Sequence, residues 1–570
     1  MSTRITSKRF RPIRALVYCA IVALLLFATL GSFGDSEGRA VHAQKRQPTE
    51  KPGPRKSGFY DYYDASSEFS PGVGRVNSFP CLIGAVTQPG IYAGNMLLDC
   101  DGEVPHNETT IAVDPNDPNH AVGGYHSYQL NFLGATIVAH IIGTTSVTFD
   151  GGQTWQEIVP PITPYQFSGD PALAFARNGR LYFANIADHE GPGGTFTGPS
   201  VVVAHSDDGG LSWTNPVTVA TGKGAVDPRG NGQLLFNDKE FIAADSHVAS
   251  PFVNRAYVTW TSFREFFAGP LAFFQSPIKV SYSNDGFNWS SPRTISGSNP
   301  ACSVAIFGAP NECDVNQDSY PTVAPNGKVY VSFENFNTPA ENQIMVVSSA
   351  DGGNTWSGPV KVADVFDINF PASVDGRATL TGCQFRVSSV ANSAADPSDQ
   401  TGNTVYVVWA DNRNGTAAET NTDVFLGRST NGGATWSVYP IDMTLNDQFY
   451  PWVSVAANGR VDVGYMDRSY SAGQGVCQYG FTLTRLVFDG AGITSSVRAR
   501  VDSELSDPGQ SRWFSSSTNS NSRFIGDYNG VATGSDGATW SLWTDQRNIV
   551  PNPPSAVRNH GQHAVGARTP

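Results

Sequence analysis

Charge, methionine and helical periodicity are all scarce in this 570-residue sequence. Only 15% of residues are Asp, Glu, Lys or Arg, and only 5 are Met. Past residue 50 no long stretch repeats its apolar positions at helical spacing, which excludes a helical bundle or coiled coil. The 37 Lys and Arg are outnumbered by 50 Asp and Glu, giving a net charge of −13. A chain this acidic lacks the field that draws phosphate backbones, so nucleic acid is not an expected partner. No CxxC or HxxxH spacing supports a zinc site, and no EF-hand-type loop is present. No metal or other cofactor is therefore expected, although carboxylates and carbonyls on a rim are ligands that Ca²⁺ can take.

What is present points the other way. Aromatic residues make up 11% of the chain, with 58 Gly and 37 Pro. Short apolar runs are divided by Gly, Ser, Asn and Thr, the pattern of many short strands joined by turns. The length is ample for a large core.

The N-terminus carries Arg4, Lys8, Arg9, Arg11 and Arg14, then an apolar run from Ala15 to Gly31, then Val41-His42-Ala43. These are the basic, apolar and small-residue parts of an export signal over residues 1–43, with an uncleaved anchor as the alternative. Either form places the body outside the cytoplasm, with no stable membrane span after cleavage. Removing 1–43 leaves 31 basic and 48 acidic residues, a net −17. Residues 44–57 read as a basic, Pro-containing disordered linker, and 58–106 as a segment packing on the main domain. Six cysteines follow the signal, and an even number in an exported chain predicts disulfides. Cys81–Cys100, Cys302–Cys313 and Cys383–Cys477 are the expected pairs among 15 connectivities.

From residue 107 the sequence repeats. One turn occurs five times: Asp150-Gly151-Gly152-Gln153-Thr154-Trp155, Asp208-Gly209-Gly210-Leu211-Ser212-Trp213, Asp285-Gly286-Phe287-Asn288-Trp289, Asp351-Gly352-Gly353-Asn354-Thr355-Trp356 and Asn431-Gly432-Gly433-Ala434-Thr435-Trp436. The Asp carboxylate can accept backbone N–H groups, the glycines permit positive φ, and the Trp is expected to pack inward. These Asp residues are turn chemistry, not catalysts. Upstream stand hairpins such as PALAFARNGRLYFANIAD (171–188) and YPTVAPNGKVYVSFEN (320–335), with an Asn-Gly turn between apolar runs. Two hairpins make a four-stranded antiparallel unit, one blade of a β-propeller. First strands begin near 107, 170, 238, 318, 383, 447 and 526, so seven blades are favoured over 107–570, with six as the alternative. A strand near Gln562–Ala567, or one from 58–105, is expected to close the ring.

The repeated turn resembles the Asp box, or BNR repeat, of the sialidase (neuraminidase) superfamily. That resemblance implies an exported glycoside hydrolase of exo-α-sialidase type, acting on terminal sugars of glycans or polysaccharides as a monomer. A non-catalytic glycan- or protein-binding propeller is the other reading. The working rim is expected where the first strands start, opposite the Asp-box turns. Sialidase chemistry uses arginines to fork a carboxylate, a tyrosine nucleophile and an aspartic acid/base. The resemblance implies Arg386, Arg413, Arg468 and Arg547 for the clamp, Tyr450 and Tyr528 as nucleophile candidates, and Asp170, Asp238 and Asp318 for proton transfer. The first repeat opens Asn107-Glu108-Thr109-Thr110, without the early arginine that the clamp calls for.

Overall fold

The computed structural model describes Pro80–Leu82, residues 95–99 and residues 106–570, apart from 134–135, 192–194, 197, 227–231, 269–270, 304–308, 337–341, 369–377, 384, 417, 472, 474–475, 491, 509–523 and 548–561. The expected signal, the linker and Cys100 lie outside the described residues, so the Cys81–Cys100 pairing does too.

Seven antiparallel sheets stand in a ring, a seven-bladed β-propeller. From the axis outward, blade 1 holds His106–Asp114, Asp117–Leu133, Thr136–Thr148 and Thr154–Ile158. Blade 2 holds Phe167–Phe175, Leu181–Asp188, Ser200–Ser206 and Val217–Ala220. Blade 3 holds Gly232–Ala244, Ala256–Ala268, Ile278–Ser283 and Arg293–Thr294, and blade 4 Asn316–Val323, Val329–Phe336, Asn342–Ser349 and Val360–Val365. Blade 5 holds Asn392–Ala395, Val405–Asp411, Asp423–Ser429 and Ser437–Asp442, and blade 6 Gln448–Val455, Val461–Asp467, Gly480–Phe488 and Ile493–Arg500.

Blade 7 closes the ring from both candidate sources. Its Gly530–Thr533, Thr539–Asp545 and His563–Thr569 come from the C-terminal part, and Met96–Leu97 adds the fourth strand, with Leu97 opposite Val565. Asp99 secures the junction, accepting from Ala564 N–H at 2.6 Å beside the His563 ring at 3.0 Å. Residues 106–114 also pack directly against 530–533, so no blade is left with a free flank.

The second strand of a blade is enclosed on both faces by its neighbours. Leu181–Asp188, Val405–Asp411, Val461–Asp467 and Thr539–Asp545 are buried throughout. Val405–Asp411 (VYVVWAD) accordingly reads as an apolar run and not as strict alternation. Each enclosed Val or Leu contributes about 1.5–3 kcal/mol. The core is accordingly a series of inter-blade layers, such as Tyr257, Val280, Val331 and Phe333 between blades 3 and 4.

The repeated turns behave as locks. Asp150 accepts from Thr154 N–H at 2.9 Å and Thr154 Oγ1 at 2.6 Å; Asp208 accepts from Ser212 N–H at 2.8 Å and Asp351 from Thr355 N–H at 2.8 Å. The cognate Asn431 accepts from Thr435 N–H at 3.0 Å. Of these five tryptophans only Trp155 is fully buried; Trp213, Trp289, Trp356 and Trp436 are half-buried, and the indoles of the last three bond back to their own turns. The indole N–H of Trp356, for example, donates to Gly353 O at 3.2 Å.

A second device joins the blades at this end. The residue at the start of a second strand reaches a turn carbonyl of the next blade. His120 Nε2 lies 2.8 Å from Gly209 O, Arg180 donates to Asp285 O at 2.5 Å, Arg255 to Gly352 O at 2.7 Å and Lys328 to Gly432 O at 2.8 Å.

Blade 5 departs from the expected register. Its first strand was expected at 383–390 but forms at Asn392–Ala395. The upstream stretch is held elsewhere: Cys383 is bonded to Cys477, and Arg386 pairs with Asp527 of blade 7. Cys302–Cys313 also forms as expected.

Candidate functional site

The site lies at the starts of the first strands. Five of the seven inner strands carry a β-bulge at the same register, and each bulge has a non-glycine residue in left-handed backbone. These are Glu108 (φ 52°), Asp170 (φ 54°), Lys239 (φ 51°), Asp318 (φ 57°) and Tyr450 (φ 50°). Each such residue costs about 1–2 kcal/mol. Repeated strain of this kind concentrates at binding and reacting sites. A bulge sets two residues against one and takes a side chain out of the strand's alternation.

Lys239 is the central group. Its ammonium lies 2.7 Å from Asp527 Oδ2, 3.2 Å from Glu108 Oε1 and 3.6 Å from Asp170 Oδ2, so three blades meet on one nitrogen. It also sits 5.2 Å from the ring centre of Tyr528. Tyr528 belongs to an aromatic layer with Phe241, Tyr320 and Trp452, whose ring centres are 4.9–5.6 Å apart at their closest pairs. Arg386 closes a second side, its Nε 2.8 Å from Asp527 Oδ1 and its guanidinium 4.6 Å from the Phe524 ring centre.

His126 stands behind the carboxyls, 3.2 Å from Glu108 Oε2 and 3.5 Å from Asp170 Oδ1. Its Nε2 accepts the Asp170 N–H at 2.6 Å, and its Nδ1 faces Asn107 Oδ1 at 3.2 Å. That pattern is a neutral imidazole carrying its proton on Nδ1. Burial lowers its pKa, in agreement.

Burial sorts the carboxyls into two sets. Glu108 is raised well above the usual range, by burial first and also by the like charges of Asp170 and Asp527. Asp238 and Glu240 are raised by burial and then by Asp170, and neither has a hydrogen-bond partner for its oxygens among the described residues. Burial also acts on Asp170, but the Lys239 ammonium opposes it, and the carboxyl lies below its ordinary value. Arg386 and Lys239 do the same for Asp527. Lys239 is itself raised, because its carboxylate neighbours outweigh burial. The two cations Lys239 and Arg386 thus lower the pKa of Asp170 and Asp527, while burial raises that of Glu108, Asp238 and Glu240.

The residues expected from sequence fall into two groups. Asp170, Asp238, Asp318, Arg386, Tyr450 and Tyr528 come from the inner strand starts and the segment before Asn392. Tyr450 OH donates to Arg386 O at 2.6 Å and Tyr528 OH to Pro171 O at 3.2 Å. Both phenols are pushed well above their ordinary pKa, by burial first and then by acidic neighbours. The remaining arginines stand in local ion pairs. Arg413 meets Asp411 at 2.6 Å and stacks on Phe425; Arg547 meets Asp545 at 2.6 Å; Arg468 pairs with Asp447. Lys239 and His126 were not among the expected site residues. Aligning the strand starts as Asn-Glu-Thr-Thr, Gly-Asp-Pro-Ala, Asp-Lys-Glu-Phe, Gln-Asp-Ser-Tyr and Phe-Tyr-Pro-Trp would have found the lysine, since it occupies the position held by Glu108 and Asp170.

Ligand-type atoms of Glu108, His126 and Asp170 lie within 4.8 Å of one another, the spacing of a metal-binding set. Here the Lys239 ammonium stands against two of those carboxyls. Among the described residues no helix is long and apolar enough to cross a membrane.

No protein-family model matches the chain, and no curated protein matches it. Solved structures similar to it include a protein of unknown function from Dyadobacter fermentans (14% identity, 66% of this chain and 94% of that one, TM-score 0.41). An α-L-arabinanase of Penicillium chrysogenum complexed with arabinobiose is 14% identical over 72% of this chain and 98% of that one, TM-score 0.39. The NanB sialidase of Streptococcus pneumoniae is 9% identical over 88% and 98%, TM-score 0.38. The fold assignment rests on the strand order and pairing described above, and the site on its own residues.

Proposed function

We propose that the protein is an exported enzyme that cleaves glycosidic bonds in a glycan or polysaccharide by acid catalysis at the propeller axis. The carrying observation is the convergence of four buried carboxyls on the Lys239 and Arg386 cations: burial drives the pKa of Glu108 and Asp238 up, while the two cations drive those of Asp170 and Asp527 down. Groups whose surroundings drive their pKa values apart divide into acid and base roles. Glu108 and Asp238 are the proton donors in this reading, and Asp170 is the ionised partner that stabilises positive charge on the sugar or activates water. The glycan-named neighbours, an arabinanase and a sialidase, agree in kind. The two disulfides agree with an extracellular location.

The sialidase form of the reading is the less supported one. A sialoside carboxylate needs free guanidinium forks, whereas Arg386 already pairs with Asp527 and Arg413, Arg468 and Arg547 each pair with an Asp. The hydroxyls of Tyr450 and Tyr528 donate to backbone carbonyls, an arrangement that does not activate a phenol as nucleophile. A neutral sugar fits this set better than an anionic one. Incubation with aryl glycosides, neutral polysaccharides and a fluorogenic sialoside tests the proposal. Turnover of a neutral glycan, lost in Glu108→Gln or Asp238→Asn, supports it. Binding of a glycan without turnover by folded protein overturns it in favour of a lectin-like propeller, and turnover confined to the sialoside overturns the choice of substrate.

A further inference from the structure

We infer that Lys239 is a built-in cation that takes the place of a divalent metal in the cage of Glu108, His126, Asp170 and Asp527. The cage has the oxygen donors of a hard-cation site: the carboxyls of Glu108, Asp170 and Asp527 from blades 1, 2 and 7, with the His126 ring behind them, all at most 4% exposed. Ligand atoms of Glu108, His126 and Asp170 already lie within 4.8 Å of one another. Carboxyls converging from separate blades need a cation among them, or they repel. The ammonium supplies it, at 2.7, 3.2 and 3.6 Å from the three carboxyls.

Two independent features mark this as a built arrangement. Lys239 holds left-handed backbone (φ 51°), a strained conformation for a lysine. Its ammonium also faces the Tyr528 ring, 5.2 Å from the ring centre. The inference does not rest on the glycan reading, since it concerns only what occupies the axis.

The test removes the ammonium from the full-length protein. In Lys239→Ala the carboxyls lose their counter-ion, and Tm falls by about 5 °C or more. Millimolar Mn²⁺ or Ca²⁺ restores most of that loss, and electron paramagnetic resonance shows one Mn²⁺ bound per chain. The double variant Lys239→Ala/Asp170→Asn loses that binding, which locates the ion in the cage. Lys239→Met keeps the stem without the charge; it is destabilised and gains nothing from metal. Wild-type Tm is unmoved by chelator or by Mn²⁺. If Lys239→Ala folds only with metal present, folding yield becomes the readout and the conclusion is the same. Overturning results are a wild-type protein that binds a divalent ion at this cage, or a Lys239→Ala protein that neither melts lower nor responds to metal.

Discussion

The two ends of the propeller use the same residue, aspartate, in opposite ways. At the hairpin end the carboxylates of Asp150, Asp208, Asp285 and Asp351 sit near water and accept turn N–H groups and hydroxyls, and their pKa values fall, Asp351 to about 2. At the axial end Glu108, Asp238 and Glu240 are buried, and their pKa values rise. The first set is satisfied within five residues of chain. The second is raised by burial, and the charges around it come from residues distant in sequence, as in the pairing of Lys239 with Glu108. A carboxylate that supplies its own partners locks a turn; the pKa of a buried one is set by the tertiary fold.

Four measurements sharpen or break this contrast. The largest effect is expected at the covalent tie beside the axial end. Removing Cys383–Cys477, which spans 94 residues, costs about 4–5 kcal/mol by chain entropy, against about 3 for Cys302–Cys313 over 11. Chemical denaturation of the two Cys→Ser pairs should rank them in that order; equal losses would mean that the axial end does not depend on the tie.

Next in size is Glu108→Gln, expected to reduce kcat by about 10²–10³-fold on a cleaved glycan with little change in Tm at pH 5. The neutral amide imitates the protonated carboxyl, so a large loss of Tm would show that Glu108 works ionised.

Stability against pH comes third. For a carboxyl with a raised folded-state pKa, the folded protein binds the extra proton. Its contribution is complete below about pH 4 and is lost as pH rises toward the folded pKa, at up to about 1.4 kcal/mol per pH unit for each group. For a lowered carboxyl the contribution is present above about pH 4 and lost as pH falls through the folded pKa. The axial end therefore weakens the protein at alkaline pH and the hairpins weaken it at acid pH. Glu240→Gln should raise Tm by a few degrees at pH 8 and leave it unchanged at pH 4. An unchanged Tm at pH 8 would refute the protonated state of Glu240.

The smallest effect belongs to a single hairpin. Asp351→Ala removes two backbone N–H and two hydroxyl acceptances at a solvent-facing turn, for a loss of about 1 kcal/mol. Activity should be untouched, and any loss of turnover would link the two ends.

The hairpin end was the more legible in sequence. Asp150 to Trp155 carries its donors, acceptors and glycines within one turn, so spacing alone reveals its geometry. The Asn-Gly turns at Asn178-Gly179 and Asn326-Gly327 were readable for the same reason, with Gly179 and Gly327 at φ 86° and 81°. Only the inward packing of four of the five tryptophans was overestimated. At the axis, local pattern showed that strand starts are polar but not which polar groups meet. Asp411/Arg413 and Asp545/Arg547, which recur at one blade position in sequence, do form local pairs, whereas Arg468 pairs with Asp447 and Arg386 crosses to Asp527, neither of which the spacing reveals. Lys239 was overlooked because a lysine next to two acids reads as a solvated charge.

The chain's own order of residues determined the blades, their turns and the ring that they close, since strand alternation and turn chemistry act between near neighbours. The raised and lowered carboxyls, the axial ammonium and the pairing of Arg386 with Asp527 were decided only in three dimensions. Burial and the field of distant charges have no counterpart along the chain, and they arise when seven separate strand starts converge on one axis.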